Sequence, residues 1–457
     1  MGGMFSPAPS PLESALVATF DAIPDKLART LRDRIDPAWI EQALKEGEGI
    51  SVRRRKMPAD VVVWMVLGAC LFAGMSFVEV LRNFGLVPLT RRGNPQTLPS
   101  SGAVSRARER IGGETLAALF RIATGAWFAR PESQHLVFHG LRVCGIDGFT
   151  VRLPDTPSNT AAFGKPSSRR EDAGYPQARV VCIVEAVTHV ILEATPGAYR
   201  DAEVPLLSEI IRGLPGSTVY ILDRNFNAYG QLWPLQDEKT KRHWLVRCKK
   251  TMKVNTIKEL GPGDELVEVM TSPASRRENP ELPKSFLARR LRYTAGKTEF
   301  VVLTSLTDPM RFPAAEIAAL YHRRWETETV FDELKTEQRG AQMTLRSKTP
   351  DGVHQELYAL MLAHNLARME MAEVAALLGV EPIRISFHRA VAAIAHHFHN
   401  VASAPPSKLL MYKDFLRAQL AYFLLPERRT ERSYPRALKV VVPRYPRKVI
   451  GEPQGST

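Results

Sequence analysis

With 457 residues, 44% of them hydrophobic and 24% charged, the chain is long enough for about three domains of ordinary size. Its 29 Gly and 33 Pro fall well short of a low-complexity or collagen-like share, which excludes the disordered and fibrous classes. Lys and Arg number 62 against 48 Asp and Glu, a net charge of +14, and so large an excess favours a polyanionic partner because phosphate contacts release condensed counterions. The four cysteines, Cys70, Cys144, Cys182 and Cys248, are widely spaced without a C-x-x-C. Neither a zinc knuckle nor a disulfide framework is encoded, and a reducing compartment is expected. The first ten residues lack a basic stretch followed by an apolar one, so no secretory signal is read. Gly2 and Ser6 satisfy only a loose myristoylation pattern that recurs by chance.

Residues 1–138 carry apolar residues at three- and four-residue spacing and are predicted helical. Val61 to Val78 is apolar enough to be weighed as a membrane span, but Pro58 suits a first helical turn. Gly74, followed by Ser76-Phe77-Val78-Glu79, marks a turn and a capping box, so a buried helical hairpin is expected instead. A Gly-, Pro- and Arg-containing loop, Thr90 to Ser101, then leads into a short basic helix with Ser101 as N-cap. Its Arg106, Arg108 and Arg110 have the placement that a helix-turn-helix reader of DNA needs, although the same pattern also describes a solvated basic face.

From residue 139 the period shortens. Leu141–Ile146, Ala178–Val187, His189–Ala194 and Thr218–Leu222 are predicted strands, with a helix over Asp201–Gly213 before the last of them. Residues 234–299 are polar and basic with strand-like pieces such as Trp244–Cys248, and are expected to form a β-rich insertion. Phe300–Leu306 is a further strand. Long helices are predicted over Pro313–Gln338 and Asp351–Ala375, closing a segment from 300 to 376, and the remainder, 377–457, is helical and then basic. Arg428 to Lys448 holds eight Lys or Arg against one Glu.

The chemistry concentrates in three places. Asp147 follows the apolar run Val143-Cys-Gly-Ile146, and Asp223 follows Val219-Tyr-Ile-Leu222. An acid at such a position costs desolvation energy that a divalent cation relieves. On the helix after residue 313, Tyr321, Arg324, Glu328 and Lys335 are spaced by three, four and seven residues and so share a face. Two aspartates from adjacent strands and a helical glutamate make a three-carboxylate site for Mg²⁺ or Mn²⁺, beside cations that grip phosphate. Asp332, one turn beyond Glu328, is the competing third acid. His396, His397 and His399 lack metal-ligand spacing, and no nucleotide-binding P-loop motif occurs.

Leu153-Pro-Asp-Thr-Pro-Ser-Asn159, Ile221-Leu-Asp-Arg-Asn-Phe226 and the spacing Tyr321, Arg324, Glu328, Lys335 together resemble the DDE transposases of the insertion-sequence-four family, whose signature is Y-R-E-K. Arg53-Arg-Arg-Lys56 with the following hairpin, and Leu345-Arg-Ser-Lys348, extend the likeness over nearly the whole chain. The resemblance implies an α/β fold: an RNase H-like catalytic core with a β-rich insertion, preceded by a helical DNA-binding domain. It implies a cut-and-paste enzyme with Asp147, Asp223 and Glu328 as catalytic and metal-holding residues for two Mg²⁺ or Mn²⁺ ions. Tyr321, Arg324 and Lys335 would hold the DNA end, and Phe300 stands where relatives place a base-stacking tryptophan. Arg106 and Arg108 are the expected N-terminal DNA contacts. Double-stranded DNA, as terminal inverted repeats and target, is the expected partner of a homodimer in the bacterial cytoplasm, without a membrane. Another RNase H-like nuclease, or a catalytically inactive DNA-binding descendant, are the alternatives.

Overall fold

The computed structural model describes residues 34–49, 57–72, 75–83, 86, 98–129, 135, 137–166, 174–337, 344–403 and 406–426. Arg53 to Lys56, Gly74, most of the Thr90–Ser101 loop, Gln338 and the basic tail from Arg428 lie outside them.

The N-terminal region is helical: α1 (Pro37–Glu46), α2 (Ala59–Leu71), α3 (Phe77–Asn83) and α4 (Ser101–Phe128). Every residue of α2 from Asp60 to Leu71 is buried. An apolar run without a polar stripe needs such all-round cover, and among the described residues no helix is long and apolar enough to cross a membrane. The capping box before α3 is formed as predicted, with the Ser76 N–H donating to Glu79 at 2.6 Å and the Glu79 N–H donating to Ser76 Oγ at 3.3 Å. Ser100, one residue before the expected cap, receives the Ala103 N–H at 3.3 Å and starts α4. The basic segment ends where Gly112 adopts φ 67 and ψ 170, a kink that only glycine accepts without strain.

The rest is built on one sheet of nine strands in the order β3-β2-β1-β4-β5-β9-β8-β7-β6. Strands β1 (Arg142–Arg152), β2 (Gln177–Glu185) and β3 (Ile191–Ala198) form an antiparallel meander, and helix α5 (Glu203–Ile210) then leads to β4 (Thr218–Leu222). β4 lies parallel to β1, and β5 (Arg242–Arg247) lies parallel to β4. This is the arrangement expected of an RNase H-like core, with one correction: β5 falls inside the 234–299 stretch assigned to the insertion. Its buried Trp244, Leu245 and Val246 are those of a central strand. The insertion proper, β6 (Val254–Gly261), β7 (Asp264–Met270), β8 (Ser285–Ala295) and then β9 (Thr298–Thr304), continues the same sheet as antiparallel pairs.

Beyond β9 the predicted single helix is two: α6 (Ala314–His322) and α7 (Trp325–Asp332), the latter running into a π-helical turn, Glu333–Glu337. Between them the N–H groups of Arg323, Arg324, Glu326 and Thr327 bond three residues back, the tighter pattern of a 3₁₀ turn. The long helix α8 (Pro350–Leu378), then α9 (Phe387–Ser403) and α10 (Leu409–Ala421), complete the described chain. Helices α2, α4 and α8 share one apolar core with the β1–β3 face that carries Phe149, Val151, Val180 and Cys182. The opposite face, with Cys144, Ile146, Val181 and Ile183, packs on Leu206 and Leu207 of α5. Period-two alternation along β1 therefore sends Gly145, Asp147 and Phe149 to the face that meets the C-terminal helices.

Candidate active site

Parallel pairing of β1 with β4 ends at Ile146 opposite Leu222. The next residues on each strand are Asp147 and Asp223, so the two acids leave adjacent strands side by side. β1 continues to Arg152 while β4 stops, which opens a crevice at the end of a parallel pair. Asp147 is half-buried there, and burial pushes its pKa up to about 6. The Gly148 N–H, donated at 2.8 Å, opposes that rise, the charge of Asp223 adds to it and Arg324 counters it.

Gly145 brings the third acid near. A Cβ on Gly145 would overlap the Thr327 hydroxyl, so the absence of a side chain lets α7 lie directly on β1. That contact carries Glu328, the next residue, toward the crevice. Arg324 fills the remaining gap: its Nη1 is 2.8 Å from Glu328 Oε1 and 3.7 Å from Asp147 Oδ2. As the side chains stand, no three acidic, His or Cys groups among the described residues surround one cation position. The Arg324 guanidinium stands between Asp147 and Glu328. Asp332, the competing acid, is exposed and acts on Lys335.

The other signature residues stand around this crevice. Lys335 Nζ lies 5.2 Å from the centre of the Phe149 ring and 5.9 Å from that of Phe331. Burial lowers its pKa, against the charges of Asp332 and Asp147. Tyr321 is buried, and burial raises its hydroxyl pKa. Its ring centre is 6.3 Å from that of Phe300, which stacks on Tyr293 at 5.4 Å.

Two cations here were not anticipated from sequence. The Arg247 guanidinium, at the end of β5, lies 4.9 Å from the Phe300 ring centre. Lys249 Nζ donates to the Asn225 carbonyl at 3.1 Å and feels the charge of Asp223. The basic run Arg247-Cys-Lys-Lys250 was the available signal, obscured because β5 was assigned to the insertion.

The two N-terminal candidates separate. Arg106 is exposed. Arg108 instead turns inward: its Nε donates to Gln355 Oε1 at 2.6 Å and its Nη2 to Ser347 Oγ at 2.8 Å and to the Gly352 carbonyl at 3.2 Å. Its guanidinium also covers the Phe77 ring at 4.4 Å. Arg108 thus ties α4 to α8, and of the two only Arg106 is free to meet a phosphate. A basic helical pattern cannot distinguish a cation with internal partners from one facing solvent.

Comparison with known proteins identifies the family. Residues 26–121 match the family described as insertion element 4 transposase N-terminal, and residues 139–366 match the transposase DDE domain. The transposase InsG for insertion sequence element IS4 of Escherichia coli (strain K12) is 32% identical over 434 residues, covering 94% of this chain and 96% of that one. InsZ of the same organism is 28% identical over 300 residues, 65% of this chain and 90% of its own. A piggyBac transposase synaptic complex with hairpin DNA aligns over 88% of this chain at 13% identity and a TM-score of 0.38, too distant to add to these. The chain belongs to the insertion element 4 family of transposases and is a DDE transposase.

Proposed function

We propose that this transposase binds the terminal inverted repeats of its own element, and that it cuts and rejoins DNA at a metal site formed by Asp147, Asp223 and Glu328. DDE chemistry acts on DNA and depends on divalent metal. The finer reading, two Mg²⁺ or Mn²⁺ ions on these three residues, is supported by the donor set. Asp147 is a half-buried carboxylate beside a second carboxylate, with Arg324 already supplying positive charge between it and Glu328. Hard oxygen donors in that number suit a small divalent ion. Metal held there would supply the positive charge needed to activate water or a 3′-hydroxyl and to stabilise the departing oxygen in an in-line displacement.

The protein's own residues do the rest. Arg324 releases Glu328 and turns to a phosphate oxygen, where its planar fork suits two oxygens at once. Lys335 adds a point charge, and Tyr321 and Phe300 bound the crevice on the aromatic side. Arg247 and Lys249 extend the cationic wall from β5, and Arg106 contributes to repeat binding from α4. Two copies act together in the DNA complex. The single observation that carries the reading is the placement of Asp147 and Asp223 at the end of the parallel β1–β4 pair, with α7 pressed onto β1 at Gly145.

Alanine variants of Asp147, Asp223 and Glu328 test it. Each is expected to bind a duplex carrying the repeat within about threefold of the parent while losing strand cleavage in Mg²⁺, because phosphate contacts made elsewhere supply the binding. Asp332→Ala keeps most cleavage. Nicking by any of the three would remove that acid from the site.

A further inference from the structure

The buried side of the catalytic helix carries a second charged cluster that this chemistry does not use. Glu333, the first residue of the π-helical turn, receives Arg368 on both oxygens, Nε to Oε2 at 3.0 Å and Nη2 to Oε1. His364 Nε2 approaches Oε2 at 3.1 Å. One imidazole spans the helix: His189 Nε2 is 3.1 Å from Glu326 Oε2, and His189 Nδ1 is 3.1 Å from Glu333 Oε1 and 2.8 Å from Arg368 Nη2. The imidazole thus places one nitrogen against Glu326 and the other against Glu333 and Arg368. Phe387 of α9 closes the cluster, 5.0 Å from the His364 ring and 4.9 Å from the Arg368 guanidinium. None of these five polar residues is more than 9% exposed.

Three features indicate that the cluster has a purpose beyond cohesion. His189 holds φ 63, in the left-handed region that few side-chain-bearing residues other than Asn, Asp and His adopt. A glycine would carry no strain there, and the imidazole that stands in its place is the group that meets Glu326 and Glu333. Asn365, beside His364, fixes the same hairpin by bonding both the N–H and the carbonyl of Ile191, at 2.8 and 2.7 Å. The π turn itself is a rare geometry that collects at functional sites. Glu326 and Glu328 are two residues apart on α7, about 200° around the axis. Whatever grips Glu326 and Glu333 from behind therefore sets where Glu328 and Lys335 point in front.

We propose that Glu333, clamped by Arg368, His189 and His364, is a positioning residue: it fixes the rotation and π register of the catalytic helix and so aims Glu328 and Lys335 at Asp147 and Asp223. The inference rests on the site reading above. The full chain is compared as Glu333→Gln, His189→Gln, Glu328→Ala and Leu119→Ala, the last a core truncation on α4, which contributes no residue to the cluster. The probes are a duplex carrying the repeat and a Mn²⁺ titration, with single-turnover nicking measured at saturating DNA and at a temperature where each variant is folded.

Glu333→Gln is expected to bind DNA within about twofold of the parent, to nick roughly 10- to 100-fold more slowly and to need more Mn²⁺ for half-maximal rate, as misaligned catalytic groups do. His189→Gln shows the same pattern to a smaller degree and carries the test if Glu333→Gln does not fold. Leu119→Ala lowers the melting temperature but leaves the rate and the Mn²⁺ midpoint unchanged. Parent-like rates and midpoints in both cluster variants would overturn the proposal, as would an equal loss in Leu119→Ala. Nicking by Glu328→Ala would instead sink the site reading while leaving the cluster's effect to be read from the other variants.

Discussion

The two sides of helix α7 and its π turn are built on opposite terms. In front, Glu328 is 40% exposed and Asp147 17%, and one arginine, itself 13% exposed, serves both. Behind, Glu333 is 5% exposed and is met by Arg368, His189 and His364, with side-chain exposures of 2%, 1% and 0%. A buried pair that loses one member leaves an uncompensated charge, so the rear contacts resist change. An accessible pair competes with water and salt and exchanges partners readily. The helix is thus held from behind by buried charges and presents in front acids whose arginine partner is accessible; under the proposed reading, metal replaces that arginine while it moves to DNA.

The largest expected effect lies behind. Arg368→Met strands Glu333 in the interior and is expected to cost about 3 to 5 kcal/mol of stability, read as a large drop in melting temperature. A drop no larger than that of an exposed pair would mean that the rear face is not the rigid one.

The two faces also answer pH in opposite directions. The folded pKa of Asp147 is raised from 3.8 to about 6. Its stability contribution in metal-free protein is therefore fullest below pH 4 and is lost as pH rises through 6. Asp147→Asn should be more stable than the parent above pH 6, by on the order of 2 kcal/mol, and no more stable near pH 4. Burial alone would raise the pKa of Glu333, but Arg368, with His189, holds it well below the usual carboxylate range. Its contribution is present above pH 4.5 and is lost on acidification. Melting curves of Asp147→Asn and Glu333→Gln across that range would separate the faces, and parallel profiles would erase the distinction.

The smallest stability effect is expected at Arg324. Its pairs reach a Glu328 that solvent screens, so Arg324→Ala should cost no more than about 1 kcal/mol in metal-free protein, a loss that added Mg²⁺ reverses. Cleavage should nonetheless fail. Full cleavage by this variant would show that the guanidinium only neutralises acids.

Much of this was legible in sequence because it follows from local pattern. Asp147 and Asp223 stood out as acids following apolar runs, and the first four strands lie close to where β-branched residues cluster. The break at Arg323 and the π turn were not legible, since helical spacing alone predicts an unbroken face. The rear cluster was missed because its partners lie 137 to 179 residues apart where His189 is involved. A weak signal existed in His364 within the apolar run Leu357–Leu366, and in Glu326 and Glu333 at seven-residue spacing. Arg108 was misjudged for the opposite reason: its local surroundings are those of a DNA-facing helix, and its partners Ser347, Gly352 and Gln355 come from elsewhere in the chain.

The central claim is that β1, β4 and α7 together hold the metal. Replacing Mg²⁺ with Fe²⁺ and generating hydroxyl radicals at the bound ion would cut the backbone near its ligands. The account predicts cuts confined to the neighbourhoods of Asp147, Asp223 and Glu328, all abolished by Asp147→Asn. Cuts missing from one of the three segments, or centred elsewhere in the chain, would contradict it.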